Sequence, residues 1–349
     1  MSDICVGVTG PTGEIGRSLL RALDRSDEVG RVIGMARGPF DPESAGLRKV
    51  EHRQGDILDR ASVNALVKEV DVLVHLAFII FTDKDEARRI NLQGSRNVFE
   101  AAFDEGVQRL IYTSSVAAYG WHDDNPDWLT EEIEPRGSDK HHYSAHKAEV
   151  EELLSNLGSA IGKKTDIYVF RPCIVAGPQA LMLIEKIPYV SIGRRLPEAA
   201  HKVAGVLPLL RPILPDPGVP FQLIHHDDAA SALMAGVLGS GPPGPYNLAA
   251  DGVITITDLA HALGWYSVPV SDLLLDATAK VVSTLPLMPI EAHWINALTV
   301  PVLADCERAK TLLNWRPAHD SLETLSETVA AARALGLLRT KERSLASAR

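Results

Sequence analysis

Apolar and polar positions alternate in blocks along the first half of the chain. Ile4, Val6 and Val8 lead into Gly10, Gly13 and Gly16. Ile15, Leu19, Leu20 and Leu23 then recur on one side of a helix. This predicts a buried strand, a glycine turn and a helix. Residues 29–35 predict a second strand and residues 50–52 a short third one. Residues 61–68 predict a helix and residues 71–76 a fourth strand. A long helix is expected over residues 85–103, with Ile90, Val98, Ala101 and Ala102 on its apolar side. Gly94 interrupts it, and close packing on the sheet would explain a glycine there. The fifth strand is Arg109–Thr113, followed by hydroxyl-bearing residues and a polar loop over 121–140. A further helix opens at Tyr143 and continues through Leu153 and Leu154.

Composition narrows the partners. The chain has 349 residues, 46% of them hydrophobic, enough for one large domain or two intimate ones. The net charge is −10 with no lysine or arginine run, which argues against nucleic acid and an anionic membrane surface. Three well-spaced cysteines form neither a disulfide framework nor a zinc pattern, so a cytoplasmic location is expected. No apolar signal core is seen at the N-terminus. The best apolar run, residues 70–81, carries Asp71 and His75 and falls short of the ~20 residues that span a bilayer.

The glycine turn is the first candidate for chemistry. Gly10 permits a tight turn, and Gly13 lets backbone approach a pyrophosphate held at the helix N-terminus. Gly16 allows close helix–strand packing. No Gly-Lys-Ser/Thr follows, which argues against a triphosphate P-loop. About 20 residues on, where an acid would read the ribose 2′-hydroxyl of NAD, the chain has Ala36 and Arg37. An arginine there suits a 2′-phosphate, so NADP(H) is favoured over NAD; a solvated strand-end arginine is the other reading. Asp56 is a candidate acceptor for the adenine amino group, or simply a turn residue. His75, Leu76 and Ala77 are expected to close over the cofactor through backbone, with His75 structural. Asn91 is a candidate for ordering water or backbone beneath the site.

Tyr143 and Lys147 are four apart and share a helix face. A nearby ammonium favours a phenolate and lowers a tyrosine pKa by roughly 1–3 units. Ser115, at the end of the fifth strand, could then bond a substrate oxygen while Tyr143 passes a proton. Taken alone, the pair could equally be a surface tyrosine and lysine.

The motifs Thr9-Gly10-x-x-Gly13-x-x-Gly16, Gly55-Asp56-Ile57, His75-Leu76-Ala77, Ser114-Ser115 with Tyr119-Gly120, and Tyr143-x-x-x-Lys147 occur in one order. So do Arg171-Pro172 with Val175, His225 to Ala229, Tyr246-Asn247-Leu248, and Arg308 to Pro317. The chain resembles the extended short-chain dehydrogenase/reductases, in their NAD-dependent epimerase/dehydratase branch. The resemblance implies an α/β, Rossmann-type doubly wound parallel sheet with a smaller C-terminal substrate-binding region. The dinucleotide-binding part is expected over 1–172 with a returning strand and helix near 221–240. The substrate region is expected over 173–220 and 241–340, with a tail at 341–349. The resemblance makes Ser115, Tyr143 and Lys147 catalytic. It implies cofactor contacts from Gly10, Thr12, Gly13, Ile15, Gly16, Arg37, Asp56, Ile57, Leu76, Ala77, Tyr143, Lys147, Pro172 and Val175. It also implies a homodimer formed through the helices at 85–103 and 143–157.

The chain departs from nucleotide-sugar enzymes of that branch. Phe221 stands where they usually carry an arginine, and residues 294–303 lack a second one. Arg194, Arg195 or Arg211 could replace them. Residues 179–220 are rich in Leu, Ile, Val and Pro, and read as an apolar lid over a small apolar substrate or as ordinary core. Trp265, Trp294 and Trp315 are expected in packing. His142 and His146 lack a zinc motif, and His225-His226 before Asp227-Asp228 fits a helix start, so no metal site is expected. The expected activity is hydride transfer between a nicotinamide and a carbonyl/alcohol pair. The alternatives are nucleotide-sugar epimerisation or dehydration with retained NAD, and a silent dinucleotide-sensing protein.

Overall fold

The computed structural model describes residues 3–338, except 81, 140, 162–163, 188, 191–211 and 271–299. The expectations for Arg194, Arg195, Arg211, Trp294, most of the Pro-rich segment and the tail lie outside the described residues.

Strands and helices alternate from the start: β1 (Ile4–Thr9), α1 (Glu14–Arg25), β2 (Val29–Ala36), β3 (Val50–Gln54), α2 (Arg60–Val67) and β4 (Val72–His75). Next come α3 (Lys84–Arg88), a π-turn (Arg89–Gln93), α4 (Gly94–Glu105), β5 (Arg109–Thr113), a 3-10 turn (Val116–Tyr119) and α5 (His142–Ile161). The chain continues through β6 (Asp166–Pro172), β7 (Ile174–Ala176), α6 (Met182–Glu185), β8 (Ile213–Asp216) and β9 (Leu223–His225). Then follow α7 (His226–Leu238), β10 (Gly244–Leu248), α8 (Ile256–Leu263), β11 (Tyr266–Pro269), α9 (Glu307–Leu312) and α10 (Ser321–Ala334).

Seven strands form one parallel sheet in the order β10-β6-β5-β4-β1-β2-β3. Its central strands are apolar on both faces because helices cover both. Val6, Val8, Val72 and Val74 pack with Leu19 and Leu23 of α1 and with Leu233 and Val237 of α7. On the opposite face Ile33, Leu73 and Leu110 pack with Leu66 of α2, Phe99 of α4 and Leu154 of α5. A third apolar cluster joins Phe221, Leu223, Leu259, Leu325 and Val329 in the smaller C-terminal region. The expected doubly wound Rossmann-type fold is therefore the observed one.

Three features differ from the sequence reading. The returning strand β9 pairs with β7 outside the main sheet. Gly244–Leu248, expected in the substrate region, instead supplies the seventh strand beside β6. The long helix is not continuous: it passes from α3 through the π-turn into α4. Gly94 is needed there because a Cβ would lie 2.4 Å from Ile57 Cδ1, so its constraint is the loop after β3, not the sheet.

Candidate active site

The turn between β1 and α1 is built by its glycines. Gly10 has φ +74°, and a Cβ there would lie 2.7 Å from the Ala77 nitrogen. A Cβ on Gly16 would lie 2.5 Å from the Gly10 carbonyl, so Gly16 is fixed by the turn itself. Gly13 is different. It is exposed, and its Cβ would meet only the Gly10 oxygen, at 3.5 Å, facing otherwise open space. It is also the N-cap of α1, and no side chain caps the helix there. Uncapped N–H groups behind a residue without a side chain fit a pyrophosphate. Thr12 is exposed and Ile15 half-buried on either side.

The segment after β4 lies directly against this turn. Leu76 N–H donates to the Thr9 carbonyl at 3.0 Å. His75 is fully buried between the Thr9 hydroxyl (2.7 Å) and the Ser95 hydroxyl (2.9 Å). Burial, and then the charge of Lys147, push its pKa down to about 3, so the ring is neutral and structural. Asn91, on the π-turn, holds Ile79 at both backbone groups: its Oδ1 accepts from Ile79 N–H and its Nδ2 donates to Ile79 O, each at 2.8 Å. A π-turn is a frequent mark of a functional position.

Ser115 follows β5 and N-caps the 3-10 turn, accepting from Ala117 N–H at 3.1 Å. Its hydroxyl also donates toward the Pro172 carbonyl at 3.4 Å, which brings the end of β6 beside it. Val175 lies just beyond, half-buried in β7. Tyr143 and Lys147 project from the first turns of α5. The Tyr143 phenol interacts with the Ser115 hydroxyl. The Lys147 ammonium is buried, donates to the Thr113 carbonyl at 2.8 Å, and lies 6.0 Å from the Tyr143 ring centroid.

The electrostatics reverse one expectation. Burial raises the Tyr143 pKa, and the Ser115 hydrogen bond only partly offsets it. Lys147 does not drive Tyr143 toward phenolate; burial pulls its own pKa down to about 7 against the pull of Glu151.

Phe78 escaped the sequence reading. Its ring face lies 3.7 Å from Lys147 Nζ, and it meets the Tyr143 ring edge-on at 5.7 Å. Only its place behind His75-Leu76-Ala77 could have flagged it.

The remaining predicted residues divide. Arg37 is exposed at the end of β2 and makes no ion pair among the described residues. Asp56 caps a turn, accepting from Leu58 N–H at 2.9 Å. Ile57 is buried against Gly94, and its carbonyl accepts from Asn97 at 2.9 Å. Phe221 is buried in the third core cluster, bridged to Ile254. Trp315 is core, its indole donating to Ser231 Oγ at 2.9 Å, and Trp265 packs on the third cluster. His225 N-caps α7, as its sequence suggested.

The tertiary fold brings His319 to His225 and Asp228. The His225 and His319 rings are stacked with centroids 3.9 Å apart. Asp228 already accepts from Ala318 and His319 N–H groups and bonds His319 Nδ1 at 2.9 Å. One nitrogen from each histidine and one Asp228 carboxylate oxygen lie within 4.8 Å of one another.

The sheet order, glycine turn and hydroxyl set define a dinucleotide-binding α/β enzyme. The model of the NAD-dependent epimerase/dehydratase family matches residues 6–249, and the chain belongs to that family. It is 32% identical over 177 residues to sterol demethylase protein B of Methylococcus capsulatus, covering 49% of this chain and 51% of that one. It is 28% identical over 185 residues to 3β-hydroxysteroid dehydrogenase/Δ5→4-isomerase of vaccinia virus, covering 49% and 52%. The chain thus spans about half the length of these curated relatives. Its fold is similar to the Bordetella bronchiseptica enzyme WbmG in complex with NAD and UDP, at 16% identity and TM-score 0.69, covering 96% of both chains. Among the described residues, no helix is long and apolar enough to cross a membrane.

Proposed function

We propose that this protein is an oxidoreductase that transfers hydride between NADP(H) and the carbonyl or alcohol carbon of a small apolar substrate. The observation that carries the reading is the Ser115–Tyr143 contact beside buried Lys147, at the carboxyl ends of β5 and β4 against the glycine turn. Gly10, Gly13 and Gly16 would hold the dinucleotide, with Thr12, Ile15, Leu76 and Ala77 around it. When bound, the cofactor supplies the hydride that adds to the carbonyl carbon. Ser115 donates a hydrogen bond to the carbonyl oxygen. Tyr143 gives that oxygen its proton and regains one from solvent. Burial raises the Tyr143 pKa, so the free site holds the protonated phenol, the form that donates in the reductive direction; its conjugate base takes the proton back in the oxidative one.

Exposed Arg37, with no acid at the end of β2, supports the preference for NADP(H). Phe221 in the core, in place of an arginine, supports an uncharged substrate. So do the sterol and hydroxysteroid names of the two curated relatives. The second reading, nucleotide-sugar chemistry with retained NAD, draws on the neighbour solved with NAD and UDP.

Tyr143→Phe should lower kcat by roughly 10²–10⁴-fold with cofactor affinity kept; full activity overturns the assignment. Arg37→Ala should weaken NADPH and leave NADH unchanged, and an unaltered ratio of the two overturns the NADP(H) preference. Protein that carries stoichiometric NAD and consumes no added NADPH supports the second reading.

A further inference from the structure

We propose that Phe78 is a positioning residue of this site, gripping the Lys147 ammonium on its face and the Tyr143 ring on its edge. The inference rests on the roles just given to those two residues. Phe78 lies between them, with Lys147 Nζ 3.7 Å from its centroid and the Tyr143 ring perpendicular at 5.7 Å. A buried ammonium has three N–H donors to satisfy. The Thr113 carbonyl takes one proton. The Phe78 face stands in for a second acceptor, since its electron-rich centre attracts a cation most strongly where water is excluded. The Tyr112 ring lies farther off, at 5.1 Å.

The backbone around Phe78 is held from both sides. On one side, Leu76 is bonded to Thr9 and Ala77 fills the space that the absent Gly10 side chain leaves. On the other, Asn91 clamps both polar groups of Ile79. The π-turn that breaks the long helix is what aims Asn91 at this segment. The ring is therefore fixed in front of Lys147 by two elements that are both distant from α5 in the chain.

The titratable groups facing Lys147 are His75 from β4, Tyr112 from β5, and Tyr143 and Glu151 from its own helix. His75 is neutral, and Glu151 is already engaged by Arg171. Removing the aromatic face therefore leaves burial with less opposition, and the ammonium loses its proton more readily.

The test reads Lys147 directly, by NMR titration of the full chain labelled at lysine Cε, with Lys147→Arg supplying the assignment. Phe78→Leu keeps an apolar side chain of somewhat smaller size and loses the aromatic face. It should move the Lys147 midpoint to lower pH by about one unit or more, a tenfold or larger change in proton affinity. Phe78→Trp should keep the midpoint at or above the wild-type value. Asn91→Ala should shift it in the same direction as Phe78→Leu. An unmoved midpoint in folded Phe78→Leu overturns the proposal, as does a fall in Phe78→Trp. The kcat of Phe78→Leu should fall with a displaced pH profile, and Phe78→Trp should restore the profile. The titration needs no turnover. Retained activity in Tyr143→Phe would remove the proposed function alone, while an unmoved Lys147 midpoint would remove this inference alone.

Discussion

Lys147 is 3% exposed, and its pKa falls to about 7 because burial penalises its charge. Unfolded, a lysine titrates near ~10.4. Between those values the unfolded chain binds the proton that the folded chain has released. Unfolding then takes up a proton, so stability rises with pH across this window. The penalty is full below about 7 and disappears above the unfolded value. Lys147→Met should flatten that rise, as measured by urea unfolding at several pH values from neutral to alkaline. An equal slope in both proteins would show that Lys147 is not the group responsible. His75 acts at lower pH in the same sense: its folded pKa of about 3 makes stability fall as pH drops below the ordinary histidine range.

At the scale of elements, the three glycines of the first turn do different work. Gly13→Ala meets no close backbone atom, so the melting temperature should be kept. Its new methyl projects in front of the α1 N-terminus, so cofactor affinity should drop. Gly16→Ala drives a carbon to within 2.5 Å of the Gly10 carbonyl and should destabilise the fold by about 1–3 kcal/mol. Gly10→Ala adds left-handed backbone strain to a clash with Ala77 and should lose both stability and cofactor binding. Thermal melts with cofactor titrations check all three. Gly13→Ala with unchanged cofactor affinity would contradict the pyrophosphate seat.

Across the whole molecule, one buried polar network ties the sheet to the C-terminal chain. Arg171 of β6 pairs with Glu151 of α5 at 2.6 Å, and it donates to the Tyr119 hydroxyl at 2.7 Å. That hydroxyl donates to Asn247 of β10 at 2.8 Å, and Asn247 in turn donates to the Leu129 and Asp305 carbonyls. Opening a buried pair from one side leaves a stranded charge. Glu151→Gln should therefore cost about 3–5 kcal/mol in denaturant unfolding. Replacing both partners, with Arg171→Met and Glu151→Leu, should cost less than the single change, and a larger loss in the double variant would refute this account.

Patterns that act within a few residues could be read from the chain itself. The β1–α1 unit, the glycine spacing, the helical Tyr143/Lys147 pair and the α7 start at His225-His226 are all of this kind, because alternation, helical period and turn chemistry are local. The tertiary structure alone decided what depends on neighbours far apart in the chain. It put Gly244–Leu248 rather than Leu223–His225 into the main sheet. It brought His319 onto His225 and set Phe78 between Tyr143 and Lys147. It also fixed the sign of the Tyr143 shift. A residue type and its spacing name an ionisable group, but the free energy of its charge depends on how much water the fold removes and which dipoles replace it.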